Sequence, residues 1–313
     1  MKLTITNNIN DFNSQADPYV IYTHDKKYVM YVSGFDGVSA YESDTLAGEY
    51  QYKGIVFSVE GCKEYWAPSV IYTHGKYYMY VSFMKKEEDD AHLQTMHVAC
   101  CDTATGKFGN AKKLIEPFSI DSHVVENESG LYIFYSVNDY EAQRAGTYVV
   151  VDKMKNPEEV EGNPVTVVKP TLDEEIFQRD RFIKGQHWHT LEGAFYFKEG
   201  EWNYVIYSGN CYQNEYYYLG YANAKSNESD LRKIKFTKYP NENTYAPLIS
   251  KNEFESGTGH NSVIKVDGKY YAVYHGRDIG VDVSSPFDTR TARICELVVK
   301  DGTITALRYP DKI

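Results

Sequence analysis

Long hydrophobic runs and positive charge are both scarce in this sequence. No apolar run approaches the roughly 18 residues of a membrane-spanning helix, so we expect no transmembrane segment. Lys and Arg number 33 against 44 Asp and Glu, which gives a formal net charge of −11. Nucleic acids and anionic membrane surfaces attract basic proteins, so this charge argues against either as a partner.

Cysteine is scarce as well, and the five cysteines include only one close pair, Cys100 and Cys101. An odd count without a recognisable spacing argues against a disulfide framework or a zinc knuckle, and favours reduced thiols. The N-terminal stretch MKLTITNNIN has neither the apolar core nor the small-residue cleavage site of a secretory signal. We therefore expect a cytoplasmic protein.

Long helical periodicity is nearly absent, whereas tyrosine is abundant. The chain contains 30 Tyr, most of them in short runs that are typical of β-strands. Tyr favours strands, and its ring has a flat apolar face and a polar tip, a combination that suits sugar rings. These features predict an all-β fold in which Tyr mainly builds the sheets.

One pattern occurs five times along the chain. An apolar strand is followed by a turn with Gly, Asn or Asp and then by a Tyr-rich strand, which is the pattern of a β-hairpin. The copies are ADPYVIYTHDKKYVMYVSG from Ala16, WAPSVIYTHGKYYMYVSF from Trp66, IDSHVVENESGLYIFYSVN from Ile120, LEGAFYFKEGEWNYVIYSGN from Leu191 and GHNSVIKVDGKYYAVYHGR from Gly259.

This repeat predicts a five-bladed β-propeller that occupies residues 1–313 as a single domain. The copies are roughly 50 to 70 residues apart, which leaves room for four strands in each blade. A β-sandwich is the alternative all-β arrangement, but it does not account for five similar units.

Three acidic residues fall at one place in the repeat. The copies align on the apolar residue of the first strand, namely Val20, Val70, Val124, Phe195 and Val263. Three positions earlier stand Asp17, Ala67, Asp121, Glu192 and His260. First strands line the channel of a propeller, so we expect the three carboxylates to converge and one of them to have a raised pKa. A protonated carboxyl opposite an ionised one is the arrangement that glycoside hydrolysis needs.

The chain resembles glycoside hydrolase family 43 over essentially its whole length. The matching motifs are Ala16-Asp17-Pro18, Trp66-Ala67-Pro68, Ile120-Asp121, Glu192-Gly193, Gly259-His260-Asn261, Tyr274-His275 and the stretch from Arg290 to Gly302. The resemblance implies a five-bladed propeller and an inverting mechanism. It also implies that Asp17 is the general base, that Glu192 is the general acid, and that Asp121 orients the acid and tunes its pKa.

The same resemblance implies further site residues. His260 would hold water or a calcium ion on the propeller axis, although no acidic ligand set accompanies it and a metal-free channel histidine is equally consistent with the sequence. No cofactor is otherwise required. Arg290 would reach the substrate or the acid cluster, with Arg277 and Arg293 as alternatives. We expect Trp66 to form an apolar wall of the sugar pocket and His189 to line it.

The family acts mainly on α-L-arabinofuranosides and β-D-xylosides. The stretches HWHTLEGAFYF and YSGNCYQNEYYYLGYA resemble those of compact arabinofuranosidases, which predicts release of terminal α-L-arabinofuranosyl residues from short arabino-oligosaccharides. A β-D-xylosidase, or a sugar phosphorylase or fructan hydrolase on a related propeller, is an alternative enzyme. A non-catalytic sugar-binding propeller is the alternative from another class, but it need not keep three channel carboxylates.

Overall fold

The computed structural model describes residues 1–6, 14–283 and 288–310. Within these ranges the chain is almost entirely β-structure, which confirms the all-β prediction. Its helical segments there are three single 3₁₀ turns, Ala91–Leu93, Asp173–Glu175 and Leu231–Lys233, and no helix in the described part could cross a membrane. The predicted domain 1–313 also includes 7–13, 284–287 and 311–313, which lie outside the described residues.

The strands form five consecutive units. The first contains β1 (Thr4–Thr6), β2 (Tyr19–Tyr22), β3 (Tyr28–Val32), β4 (Val38–Ser43) and β5 (Glu49–Phe57). The second contains β6 (Cys62–Thr73), β7 (Lys76–Lys85), β8 (Thr95–Cys101) and β9 (Gly109–Ile115). The third contains β10 (Ile120–Asn127), β11 (Gly130–Asp139), β12 (Gly146–Asn156), β13 (Glu159–Val160) and β14 (Val165–Val168).

The remaining strands complete the fourth and fifth units. The fourth contains β15 (Ile176–Gln178), β16 (Trp188–Glu199), β17 (Trp202–Gly209), β18 (Tyr218–Lys225) and β19 (Thr237–Lys238). The fifth contains β20 (Glu255–Val266), β21 (Lys269–Asp278), β22 (Thr291–Lys300) and β23 (Thr303–Leu307). Neighbouring strands within a unit are antiparallel except β1, which runs parallel to β5, and a short parallel ladder between β12 and β16 joins units three and four into one sheet.

Each unit contains the hairpin that the repeat predicts. The hairpins are β2–β3, β6–β7, β10–β11, β16–β17 and β20–β21. Their turns use left-handed residues where the chain reverses, for example Gly75, Gly200 and Gly268 with φ of 80°, 60° and 81°. Glycine adopts this conformation without a Cβ clash, so these positions fix the turns and thereby the register of the strands.

Apolar side chains fill the space between consecutive units. In the described residues the buried side chains form five clusters, and each cluster draws on two neighbouring units. Representative pairs from the successive clusters are Tyr31 with Met79, Tyr80 with Ile133, Phe134 with Val205, Ile206 with Ala272, and Ile294 with Met30. The last pair joins the fifth unit to the first, so each unit packs against two others.

Hydrogen bonds between first strands follow the same succession. The hydroxyls of Ser69 and Ser122 are 2.9 Å apart and link β6 to β10. The backbone N–H of Val20 donates to Ser262 Oγ at 3.0 Å and links β2 to β20. These two contacts place β6 beside β10 and β2 beside β20.

Buried tyrosines pack with their hydroxyls paired. Tyr31 Oη donates to the carbonyl of Ala104 at 2.6 Å, and Tyr80 Oη donates to the carbonyl of Pro157 at 2.8 Å. These hydrogen bonds matter because a buried hydroxyl loses its hydrogen bonds to water, and without a partner in the protein that loss would destabilise the fold. Tyr can thus bring a large apolar ring into the core and tie a neighbouring loop at the same time.

Candidate active site

A left-handed residue lies near the start of each first strand. These residues are Asp17, Ala67, Asp121, Gly193 and His260, with φ between 45° and 63°. The last four lie within β-bulges of their ladders. A bulge bends the strand and re-aims the neighbouring side chains. A left-handed backbone costs a non-glycine residue roughly 1–2 kcal/mol, so the packing around the strand starts must hold these conformations.

The strand register corrects one prediction about the acids. The cross-strand pairs at the bulges are Trp66 with Ser82, Ile120 with Ser136, Glu192 with Ser208 and Gly259 with His275. Glu192 therefore shares the position of Ile120, one residue before the left-handed position of Asp121. The prediction that the three acids share one repeat position is therefore wrong for Glu192. Phe195 pairs two residues before Ser208, and His123 likewise pairs two residues before Ser136, so Phe195 corresponds to His123 and not to Val124.

Asp17 is buried and surrounded by donors. Its Oδ2 accepts a hydrogen bond from Ser33 Oγ at 2.5 Å, and its Oδ1 lies 3.3 Å from Arg290 Nη1. Burial by itself would raise the pKa of Asp17. The positive charge of Arg290, followed by the imidazoles of His260 and His275, outweighs burial and holds this pKa well below its usual range. Asp17 is thus ionised near neutral pH.

Arg290 is fixed before any ligand arrives. Its Nη2 and Nε contact the Asp288 carboxylate at 2.7 and 3.0 Å, and its guanidinium lies 4.8 Å from the centroid of the Tyr212 ring. The alternatives considered from the sequence are engaged elsewhere. Arg277 donates to the carbonyl of Tyr212, and Arg293 pairs with acidic residues away from Asp17. Of the three arginines, the structure brings Arg290 to the acid cluster.

The pKa values of Glu192 and Asp121 are raised, whereas that of Asp17 is lowered. Burial raises the pKa of Glu192 to about 7. Burial, followed by the charges of Glu192 and Asp17, raises the pKa of Asp121 well above its usual range. Asp121 Oδ2 also accepts a hydrogen bond from the N–H of Gly193 at 3.2 Å. Asp121 therefore holds the backbone that carries Glu192.

Two histidines complete the cluster around Asp17. The N–H of Asp17 donates to His275 Nδ1 at 3.1 Å, which requires a lone pair on that nitrogen. Burial lowers the pKa of His275 to about 4, so the ring is neutral. His260 Nδ1 lies 3.5 Å from Asp17 Oδ1 and 4.0 Å from Asp121 Oδ2. Burial also lowers the pKa of His260.

The donor set around His260 does not fit a calcium site. Calcium takes six to eight oxygen ligands, whereas His260 offers a nitrogen and faces two carboxylates. Among the described residues no group of three His, Cys, Asp or Glu side chains could hold a metal ion.

The two remaining predicted site residues lie in different surroundings. Trp66 is half-buried and occupies the repeat position of Glu192, and its role as an apolar wall of the sugar pocket stays a prediction. His189 is buried, and both of its ring nitrogens have protein partners. Its Nδ1 contacts the Ala145 carbonyl at 3.2 Å and its Nε2 contacts Arg144 Nη1 at 3.0 Å. Both ring nitrogens of His189 are thus engaged within the protein, and its lining of the pocket stays a prediction.

Sequence reasoning missed the residues that support the acids from the second strands. Ser33, directly after the second strand of the first unit, and His275, on the second strand of the fifth unit, both contact Asp17. Their repeat position recurs as Ser82, Ser136 and Ser208. An alignment of the second strands alone would have found this column, because four of the five copies carry Ser and the fifth carries His.

The arrangement combines one ionised carboxylate with carboxyls that keep a proton near neutral pH. Such a pair can remove a proton from one group while donating a proton to another. Glycoside hydrolysis uses this combination, because water must be deprotonated while the leaving oxygen is protonated.

Comparisons with known proteins agree with this chemistry. A family model described as "Glycosyl hydrolases family 43" matches residues 8–304. An "Extracellular exo-alpha-(1->5)-L-arabinofuranosidase" of Streptomyces avermitilis is 25% identical in an alignment of 228 residues, and the match covers 68% of this chain but only 43% of that protein. The match thus spans less than half the length of this relative.

Solved structures share the fold over nearly the whole chain. A thermostable family-43 glycoside hydrolase is 28% identical with a TM-score of 0.76, and the match covers 97% of this chain and 96% of that chain. An α-L-arabinofuranosidase from Lactobacillus brevis is 20% identical with a TM-score of 0.77, over 93% of both chains. At that identity the second likeness shows the fold alone.

Proposed function

Because the chain belongs to glycosyl hydrolases family 43, we propose that it is an inverting hydrolase that releases terminal α-L-arabinofuranosyl residues from short arabino-oligosaccharides. The observation that carries the proposal is the opposite protonation of two buried carboxyls. Arg290 keeps Asp17 ionised, whereas burial keeps a proton on Glu192 up to about pH 7. One site therefore holds a base and an acid together.

The reaction follows from these two states. Water attacks the anomeric carbon, and Asp17 takes a proton from that water. The bond between the anomeric carbon and the glycosidic oxygen breaks, and Glu192 gives its proton to the departing oxygen. Asp121 acts through Gly193 by holding the backbone of the acid. Proton exchange with solvent then restores both carboxyls, and no covalent sugar–enzyme bond forms.

We also infer that the five units form a five-bladed β-propeller in one domain. Five interunit clusters support this arrangement, and the last cluster returns to the first unit. Hydrogen bonds between first strands run in the same order. Three carboxylates that are far apart along the chain can then share one centre.

The choice of arabinose over xylose rests on relatives rather than on the site. The name of the Streptomyces avermitilis relative specifies arabinofuranosidase, and the likeness of the Lactobacillus brevis enzyme adds the fold only. A β-D-xylosidase has the same proton chemistry and remains the alternative enzyme. The word extracellular is said of the Streptomyces protein, and the cytoplasmic location of this chain stays a prediction.

A pair of nitrophenyl glycosides tests the proposal. Wild type and Asp17→Ala are assayed on the α-L-arabinofuranoside and on the β-D-xylopyranoside, with Glu199→Ala as the control because Glu199 pairs with Lys265 on the surface. We expect wild type and the control to prefer the arabinoside and Asp17→Ala to lose most of that activity, because the base must activate water whichever group departs. A preference for the xyloside would replace the substrate and keep the mechanism. Absence of turnover on both substrates would contradict hydrolysis.

A further inference from the structure

A buried tyrosine contacts the proposed general acid directly. Tyr217 precedes β18, and its side chain is only 1% exposed. Its hydroxyl donates a hydrogen bond to Glu192 Oε1 at 2.8 Å. A carboxyl group has two oxygens, so this bond occupies one and leaves Oε2 to face the reaction.

The position of Tyr217 is fixed by its neighbours. Its ring stacks on His275 with centroids 5.6 Å apart and planes 10° apart. A Cβ added at Gly259 would fall 1.9 Å from Tyr217 Cε1, so the ring fills the space that this glycine leaves open. His275 in turn accepts from the N–H of Asp17. One packed unit thus joins the surroundings of the acid to those of the base.

The Tyr217 hydroxyl acts as a hydrogen-bond donor toward Glu192. Burial raises the pKa of Tyr217 well above its usual range, so the hydroxyl keeps its proton and donates. An oxygen that accepts from this donor is a poor site for the carboxyl proton. The proton of the neutral acid is therefore held on Oε2, and the donor remains in place when Glu192 becomes a carboxylate.

We propose that Tyr217 is the positioning residue of the proton transfer: it holds Oε1 of Glu192, keeps the transferable proton on Oε2, and stabilises the carboxylate left after the transfer. This inference rests on the proposed function and assigns that function a residue outside the three acids. Tyr217 touches Glu192 and acts on the substrate only through it.

The dependence on leaving group separates this role from simple packing. An arabino-oligosaccharide departs as a poor leaving group and needs the acid, whereas a nitrophenolate departs without it. We expect Tyr217→Phe to lower kcat on arabinobiose by roughly 10- to 100-fold, the cost of losing a hydrogen bond to a charged group. On the nitrophenyl arabinofuranoside kcat should change less than about threefold, because this residue assists only the proton transfer.

The pH profile gives a second readout. Hydrogen bonding from Tyr217 favours the ionised form of Glu192 and so lowers its pKa. Without this bond the pKa of Glu192 rises, and the falling limb of kcat/KM on arabinobiose should move to higher pH. A Tyr204→Phe variant is the matched control, since Tyr204 is equally buried and its hydroxyl accepts from the N–H of Gly302 instead of donating to Glu192.

The outcomes are distinguishable. A selective loss on arabinobiose with a shifted limb, absent in Tyr204→Phe, supports the positioning role. Equal losses on both substrates with an unshifted limb, or a profile identical to wild type, overturn it. A wild type without turnover on either substrate contradicts the proposed function itself, and the role of Tyr217 falls with it.

Discussion

Arg290 Nη1 lies 3.3 Å from Asp17 Oδ1, and this contact sets the base apart from the acid. Burial acts on Asp17 and Glu192 in the same direction, because it disfavours the charged form of both. The guanidinium reverses the result for Asp17. Two carboxyls in one site therefore differ in protonation because of one cation beside one of them.

Removal of this cation should expose the base to protonation. In Arg290→Ala the pKa of Asp17 rises, so we expect the acidic limb of kcat/KM to move upward in pH and the maximum to fall on the order of 100-fold, the usual contribution of a general base. The pH profile on arabinobiose checks this. Arg277→Lys is the control, since Arg277 donates to the Tyr212 carbonyl and not to Asp17. If the acidic limb does not move in Arg290→Ala, the contact between Arg290 and Asp17 does not keep the base ionised.

The wild-type pH profile should be asymmetric. Glu192 has a raised pKa of about 7, so its protonated form is lost as the pH rises through that value. The pKa of Asp17 is lowered, so the base stays ionised well into acid solution. We expect kcat/KM to fall above about pH 7 and to stay level down to the acid range in which the fold survives. A profile that instead rises through neutral pH would contradict both assignments.

Substitutions of Asp121 should show what its hydrogen bond from Gly193 contributes to the rate. Asp121→Ala removes the acceptor of the Gly193 N–H and one carboxyl beside Glu192. We expect kcat/KM to drop on the order of 100-fold, because the Gly193 N–H then loses the acceptor that holds the backbone of the acid. Asp121→Asn restores an acceptor, so it should recover part of the rate. Identical rates for the two variants would exclude the hydrogen bond as a contributor.

Ala67 has the same left-handed backbone as Asp17 and Asp121 but carries no acidic side chain, so it tests the effect of backbone strain alone. It has φ of 46° at the repeat position where the other units carry Asp, His or Gly. Ala67→Gly should raise the free energy of unfolding by about 0.5–1 kcal/mol, because glycine adopts a left-handed backbone without a Cβ clash. Ala99→Gly, in β8, should instead lower it by a similar amount. Urea denaturation measures both, and a destabilised Ala67→Gly would show that its methyl group packs usefully.

The repeated hairpins could be predicted because their information is local. An alternating strand, a turn and a Tyr-rich strand recur in each copy, and the structure has hairpins at all five places. The position of Glu192 could not be predicted to the residue. Counting back from Phe195 does not reveal a bulge, and only the pairing of Glu192 with Ser208 does.

Residues that act through tertiary contacts could be predicted only in part from the sequence. The resemblance favours Arg290 over Arg277 and Arg293, and the fold shows that Arg290 is the one that contacts Asp17. Tyr217 is one of 30 Tyr, and nothing in its neighbourhood marks it as the partner of Glu192. His189 shows the converse, since its place before Glu192 suggested the pocket while its nitrogens bind Arg144 and Ala145.

The stereochemistry of the first product tests the central claim most directly. Proton NMR recorded during hydrolysis of an α-1,5-linked arabinobiose follows the anomer that the enzyme releases before mutarotation mixes the two. With Asp17 as base and no covalent intermediate, the account predicts that β-arabinofuranose appears first. Initial release of the α anomer would mean that a carboxylate attacks the sugar, and it would contradict the assignment of Asp17.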